Sequence, residues 1–477
     1  MLLLLFVSIL LSTSFVQTKL GGYVTVKINK NYGTDLTIGK INASFLGNIT
    51  LKDVQIRDHH KDTLIFVKKL STSLLSAKKI IDETFLFDNI TLENGCYYMK
   101  TYKGETTDNM AIFINSFRKD KSKDSLDVPF ILKADNVYIQ NLDFKLSNEN
   151  TKKEVIFSAI NIGGNIQKMA IVGTDFSTNA RGLYFKTNQG LQVTNLTTNY
   201  TFTKSAMNFD KTTLKTENSR LFGDVLFTYQ KDGLANFNDQ VTIHANFKRS
   251  TLKVLDLKRF YNELSGNDIL SFSGKMIGKL NDFNVKKLNI STEKGILLNG
   301  DFSFKNVLNT ERGVVFNGDL NNLTATYTVL KDLLPNLLGK TLPSEFDKLG
   351  QFKIKGNVFV TPLKINTTLI VKSSIGTAIS DLKINNITEI NRASYSGDVQ
   401  LIDFNMGSFF NNPILGKLSL KGTVNGSGFK LENVNTKFIG NISKLNFKGY
   451  SYQNIVANGQ YQNNKFDGDL VIDDDNF

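Results

Sequence analysis

The chain has 477 residues, enough for two or three ordinary domains or for one extended array, and its 41% hydrophobic share excludes a disordered polymer. Glycine outnumbers proline 35 to 5, tryptophan is absent and 36 phenylalanines are dispersed through the chain, a composition of many strands joined by Asn/Gly turns rather than of long helices. The formal charge of +13 rests on lysines standing singly in strand-like segments, such as Lys353 and Lys355 or Lys417 and Lys421, so it reads as a solvated face and no nucleic-acid partner is expected.

The first element is the run MLLLLFVSILLSTSFV. It has no charge, and Leu2, Leu3, Leu4, Leu5, Phe6, Val7, Ile9, Leu10, Leu11, Phe15 and Val16 form an apolar stretch that predicts membrane insertion. It lacks the basic start and the small-x-small cleavage site of a signal peptide, so residues 1–18 read as an uncleaved transmembrane anchor. Residues 19–34 follow as a short exit helix, with Leu20, Val24 and Ile28 spaced four apart on one stripe.

From Asp35 the period changes to two: Leu36 and Ile38, Ile49 and Leu51, Val54 and Ile56. Strands with one apolar and one polar face give this alternation. Residues 35–250 make one β segment, and the same texture continues over 251–477. In GQFKIKGNVFVT, Phe352, Ile354, Val358 and Val360 share a face, opposite Lys353, Lys355 and Asn357. Leu418, Leu420 and Val424 do so in LGKLSLKGTVNG, as do Phe272 with Met276, Phe302 with Phe304, and Leu445 with Phe447. A unit of about 12 to 15 residues repeats loosely, which predicts a long antiparallel sheet of about thirty strands. Helical insertions are expected near 251–265, 326–349 (kinked at Pro335) and 406–410, packed against an open side of the sheet or plugging it. Lys119 to Asp124 reads as a charged loop open to proteolysis.

Catalytic chemistry leaves no constellation. Cys96, the single cysteine, excludes an intramolecular disulfide and a redox pair and reads as a small core residue. No zinc-protease, Cys/His or phosphate-loop motif occurs, so neither a cofactor nor enzymatic activity is expected. Asp58-His59-His60-Lys61-Asp62 is the one dense polar cluster; it reads as a solvated turn, and adjacent histidines on a strand would diverge to opposite faces. Asp473 to Asp475 break any amphipathic final strand before Phe477, so the pattern stops short rather than ending as an outer-membrane barrel does.

Two stretches carry a family likeness. IGKINASFLGNITLKDVQIRDHHKDTLIFVKKLSTSL, residues 38–74, resembles the N-terminal module of the AsmA-like superfamily. ASYSGDVQLIDFNMGSFFNNPILGKLSLKGTVNGSGF, residues 393–429, with the YSYQNIVANGQYQNNKFDGDLVIDDDN that follows, resembles the repeating core of TamB proteins of Bacteroidota. The resemblance implies an inner-membrane anchor with the bulk of the chain in the periplasm, and a β-taco whose apolar groove carries phospholipid between inner and outer membrane. It also implies support of outer-membrane protein assembly with an Omp85-type barrel, through a C-terminal domain that this sequence lacks. The apolar residues named above for the strands between Phe272 and Phe447 would then line the lipid path. The alternative from pattern alone is a periplasmic or surface β scaffold with a filled core and no lipid.

Overall fold

The computed structural model describes residues 22–474, except 24, 31, 44–47, 75–83, 117–130, 153, 231–236, 260–265, 309–310, 334–343, 390–391, 430–432 and 464. The apolar run at residues 1–18 and the charged loop at 119–124 lie outside them. Among the described residues no helix is long and apolar enough to cross a membrane. Residues 25–30 are helical, and from Asp35 onward the protein is mainly β, with twenty-three strands among the described residues. That is fewer than the repeat length implied, because several strands run to 18 residues. The chain divides into two compact units, 1–226 and 227–477.

The first unit holds β1 (Asp35–Ala43), β2 (Asn48–Arg57), β3 (Thr63–Leu74), β4 (Thr84–Thr101), β5 (Ile131–Asn148), β6 (Val155–Val172), β7 (Asp175–Thr187), β8 (Gln192–Phe202) and β9 (Ala206–Thr216). The unit boundary falls within β10 (Arg220–Thr228), which pairs with β9. Consecutive strands pair antiparallel except β4 and β5, which run parallel. A parallel pair needs a crossover, and α1 (Asn109–Ser116) lies within it. Cross-strand neighbours build apolar rows: Ile41, Leu51, Leu70, Leu92 and Ile139 stand opposite one another in turn from β1 to β5. Ile90, Ala134 and Val137 form the buried core beside that row.

The second unit is an antiparallel meander. Its strands are β11 (Thr242–Lys253), β12 (Ile269–Gly278), β13 (Phe283–Thr292), β14 (Leu297–Lys305), β15 (Val315–Thr326), β16 (Gln351–Val360), β17 (Lys364–Ser373) and β18 (Gly376–Asn385). They continue as β19 (Ser394–Asn405), β20 (Leu415–Ser427), β21 (Asn435–Phe447), β22 (Tyr450–Gln462) and β23 (Lys465–Ile472). Each pairs with the next.

Short helical pieces interrupt the meander. After α2 (Phe237–Gln240), they are α3 (Val254–Lys258), α4 (Tyr327–Leu333), a 3-10 turn (Ser344–Leu349) and α5 (Met406–Phe410). From α3 onward all sit at the same ends of their strands, after β11, β15 and β19. Thr251 to Lys253, expected to open a helix, instead finish β11: their registered partners on β12 satisfy the backbone, so the helix begins only at Val254. Along this margin Ile296, Ala325, Tyr327, Leu349, Phe352 and Phe404 make a packed core with Val329, Leu330 and Leu333 of α4 and Met406 and Phe409 of α5.

Bulges keep the apolar faces in phase. Lys287 takes φ 51°, and the register slips between Val285 and Leu288 so that both stay on one face. Its N–H donates to Asp301 Oδ1 on the next strand at 2.6 Å. The same device recurs: Asp143 accepts from Asn161 N–H (3.0 Å, φ 56°), Asp224 from Lys211 N–H (2.8 Å, φ 51°), and the Ser419 hydroxyl from Asp403 N–H (2.9 Å, φ 44°). An extra residue bends a strand and leaves a donor without a ladder partner. A polar side chain on the neighbouring strand supplies that partner, which fixes where the bend falls.

Candidate functional site

In the second unit, registers between consecutive strands align one row across the meander. From β12 to β23 it reads Phe272, Ile290, Leu298, Leu323, Ile354, Val371, Ala378, Leu401, Leu420, Ile442, Ile455 and Ile472, each opposite the next. Beside it a second row mixes large and small residues: Leu320, Gly356, Leu369, Ser380, Val399, Gly422, Gly440, Ala457 and Leu470. A third holds Met276, Val285, Phe302, Gly318, Val358, Thr367, Leu382, Gly397, Val424 and Phe438.

Every apolar residue named from the sequence in this half stands on this face. Phe272, Ile354 and Leu420 share the first row; Met276, Phe302, Val358 and Val424 share the third. Phe304 and Val360 pair across Phe316, while Leu418 stands between Phe404 and Leu445, and Phe447 opposite Leu415. Phe352 pairs with Ala325 within the margin core. Sequence reading missed much of the row, including Ile290, Leu323, Val371, Leu401, Ile442 and Ile455. The signal was the same alternation, read across strands instead of along one.

The face is half-buried rather than sealed. Phe302 and Phe352 are each 6% exposed, but Ile354, Leu369, Leu382, Leu420, Val424 and Ile442 all keep accessible surface. The opposite face carries exposed Lys353, Lys355, Lys372, Lys383, Lys417 and Lys421. Rings lie flat over glycines: the Phe438 edge occupies the space a Cβ would need at Gly422 (2.7 Å) and Gly440 (2.9 Å). Such rings cover backbone with hydrocarbon and make the surface apolar between side chains as well as at them. Where the first row starts, a cavity of about 420 Å³ opens between β11 and β14, lined by Arg249, Ser250, Phe272, Ile290, Leu297 and Asn299.

No protein-family model, no curated protein and no solved structure matches this chain. The geometry therefore carries the functional reading.

The first unit holds a separate polar cluster. His59 and His60 do not diverge, because they sit in a turn rather than on a strand: Asp58 N–H donates to Asp62 O (2.9 Å) and Lys61 takes φ 68°. Both rings fold to one side with centroids 4.4 Å apart. Their Nε2 atoms lie 3.0 and 2.7 Å from the Glu105 carboxylate. Beneath them buried Asp58 accepts from His60 N–H (2.9 Å), Asp62 N–H (3.0 Å), the Tyr102 hydroxyl (2.7 Å) and Asn109 Nδ2 (2.8 Å). Burial and the two aspartates push the Tyr102 hydroxyl well up, while its hydrogen bond and Lys100 hold the Asp62 carboxyl below the usual range. Hydrogen bonds from His60 and His59 lower the Glu105 carboxyl. For Lys100, burial opposes the charge, but Glu149 and Asp62 outweigh it and raise the ammonium.

Proposed function

We propose that this chain handles lipid in a Gram-negative cell envelope, as a TamB-like bridge between inner and outer membrane. The observation that carries the reading is the apolar row from Phe272 to Ile472, continuous across β12 to β23 and still partly accessible. An acyl chain exposed to water costs about 0.8 kcal/mol per CH₂, so two chains raise a free crossing well above ~20 kcal/mol. A face with hydrocarbon at every strand spacing removes most of that barrier, and a headgroup stays above it in water. In this reading residues 1–18 anchor the chain in the inner membrane, the β body lies in the periplasm, and an Omp85-type barrel is the partner at the outer membrane. Nucleotide-driven transport needs a phosphate cradle, which the sequence lacks; direction is then set by the partners or by lipid supply.

The test is lipid mass spectrometry of the full chain purified in mild detergent, beside Ile354→Asp and Leu420→Asp. Co-purifying phospholipid that drops several-fold in both variants, with their circular dichroism unchanged, supports the lipid path. A folded, lipid-free wild type would sink it. The second reading, a β scaffold without lipid, draws on the margin core around Phe352 and Phe404, where α4 and α5 seal the face as an ordinary core does; a lipid-free result would favour it.

A further inference from the structure

We propose that His59, His60 and Glu105 form a zinc-type divalent-cation site that ties the β2–β3 turn to the turn after β4. The three side chains offer two imidazole nitrogens and a carboxylate oxygen, all within 4.8 Å of one another. These are the donors zinc takes at about 2.0–2.2 Å, which sets ligand atoms about 3.4 Å apart around a tetrahedron. Here the two nitrogens stand 3.0 and 2.7 Å from the carboxylate, each within well under an ångström of that spacing, and the third edge, nitrogen to nitrogen, lies within 4.8 Å. Two imidazoles favour zinc and its transition-metal neighbours over calcium or magnesium, which take oxygen.

The turns that carry the ligands are fixed by packing and by backbone hydrogen bonds. The His60 ring stacks on Tyr102 at 3.9 Å, and His59 meets the same ring edge-on at 5.5 Å. Asp58 pins the turn that carries both histidines. On the other side Glu105 N–H donates to Tyr102 O, and Asn150 Nδ2 donates to the backbone carbonyls of both Tyr102 (3.1 Å) and Glu105 (2.9 Å). The surrounding charge suits a cation: Asp58 and Asp62 share the Tyr102 hydroxyl, Asp62 and Glu149 pair with Lys100, and Lys61 is engaged by Asp35. The fourth position faces solvent and takes water. Nothing in this site depends on the lipid reading, since it lies in the other unit.

The test uses the full chain without a histidine tag, stripped with chelator and titrated with ZnCl₂ by calorimetry, then with Co²⁺ followed by visible absorption. The site predicts one ion per chain, intense tetrahedral Co²⁺ bands, and at least tenfold weaker binding in His59→Gln/His60→Gln and in Glu105→Gln. His244→Gln, which removes the remaining histidine, should leave binding unchanged. Circular dichroism checks that the variants fold. Diethylpyrocarbonate labelling of wild type gives a check without variants: zinc should protect His59 and His60 and spare nothing at His244. An absent ion, undiminished affinity in a folded double variant, or equal labelling with and without zinc overturns the site.

Discussion

If the apolar face of the second unit is open, shortening a side chain there should cost less than the same change where helices seal it. Leu382 on β18 and Leu418 on β20 make the comparison, because both are leucines on one face of one sheet. Leu418 is 8% exposed and stands against Phe404 of the margin core, whereas Leu382 pairs with Thr367 and Gly397 and keeps accessible surface. Leu→Ala removes about three methylene equivalents, or ~2.4 kcal/mol for a fully buried chain. Partial exposure of Leu382 reduces this to about 1.5–2 kcal/mol, and no cavity term applies because the gap opens to solvent. Leu418→Ala leaves a closed hole and should cost about 3–4 kcal/mol. Urea unfolding of the full chain, followed by far-UV circular dichroism, reads the two midpoints. Equal costs near 3 kcal/mol or more would mean that Leu382 is covered, and the open-face reasoning would fail.

Two further outcomes follow from the backbone. Gly356 takes φ +130°, and an added Cβ would run into the Thr368 carbonyl oxygen. Gly356→Ala should therefore lose about 2–4 kcal/mol, strain and overpacking together, against about 1–2 kcal/mol for Gly449→Ala, which also takes a positive φ (+82°) but whose Cβ meets nothing; a reversed order of midpoints would refute it. Asp301 holds the Lys287 bulge, and the Lys287 N–H with the Lys286 ammonium keeps its carboxyl below the ordinary 3.8. A depressed folded value stabilises above the unfolded one and fades as pH falls through the folded one. The Tm gap between wild type and Asp301→Ala should thus stay constant from pH 7 to 5 and narrow below about pH 4; a gap flat to pH 2 would show that the charge plays no part.

Strand content and the choice of apolar face were legible because period two is a property of single strands. Lys353, Ile354, Lys355 and Val358 announce their sides without any partner. Two things were not legible. Bulges read as broken alternation: Leu401 and Phe404 are three apart, so a strict period puts them on opposite faces, and only Asp403 in a left-handed conformation restores them to one. A polar residue of the Asp, Asn or Lys type set between apolar residues at odd spacing is the available signal. For His59 and His60 the turn itself was legible and the structure has it, but the convergence of the two rings was not: strand alternation does not apply in a turn, and their common target, Glu105, lies 46 and 45 positions away, beyond any local pattern.

The glycines of the second row show how an apolar face stays accessible. A face of Leu and Phe at every position would have so much side-chain volume that it packs against itself or against another chain. Setting Gly356 between Leu320 and Leu369, and Gly422 with Gly440 between Val399 and Ala457, lowers that volume along the row, and the Phe438 ring lies against the backbone of both Gly422 and Gly440. The surface keeps its hydrocarbon character while the room above it is preserved. Filling that room from the floor is an uncharged counterpart to Leu420→Asp: the Gly440→Leu side chain would meet the Phe438 ring, and because its Cβ also runs into the Lys421 carbonyl oxygen and the Gly422 Cα, its lipid content is read only beside circular dichroism that matches the wild type. Lipid lost from this variant as fully as from Leu420→Asp would locate the acyl chains over the glycine row, whereas lipid retained in it would place them elsewhere on the sheet.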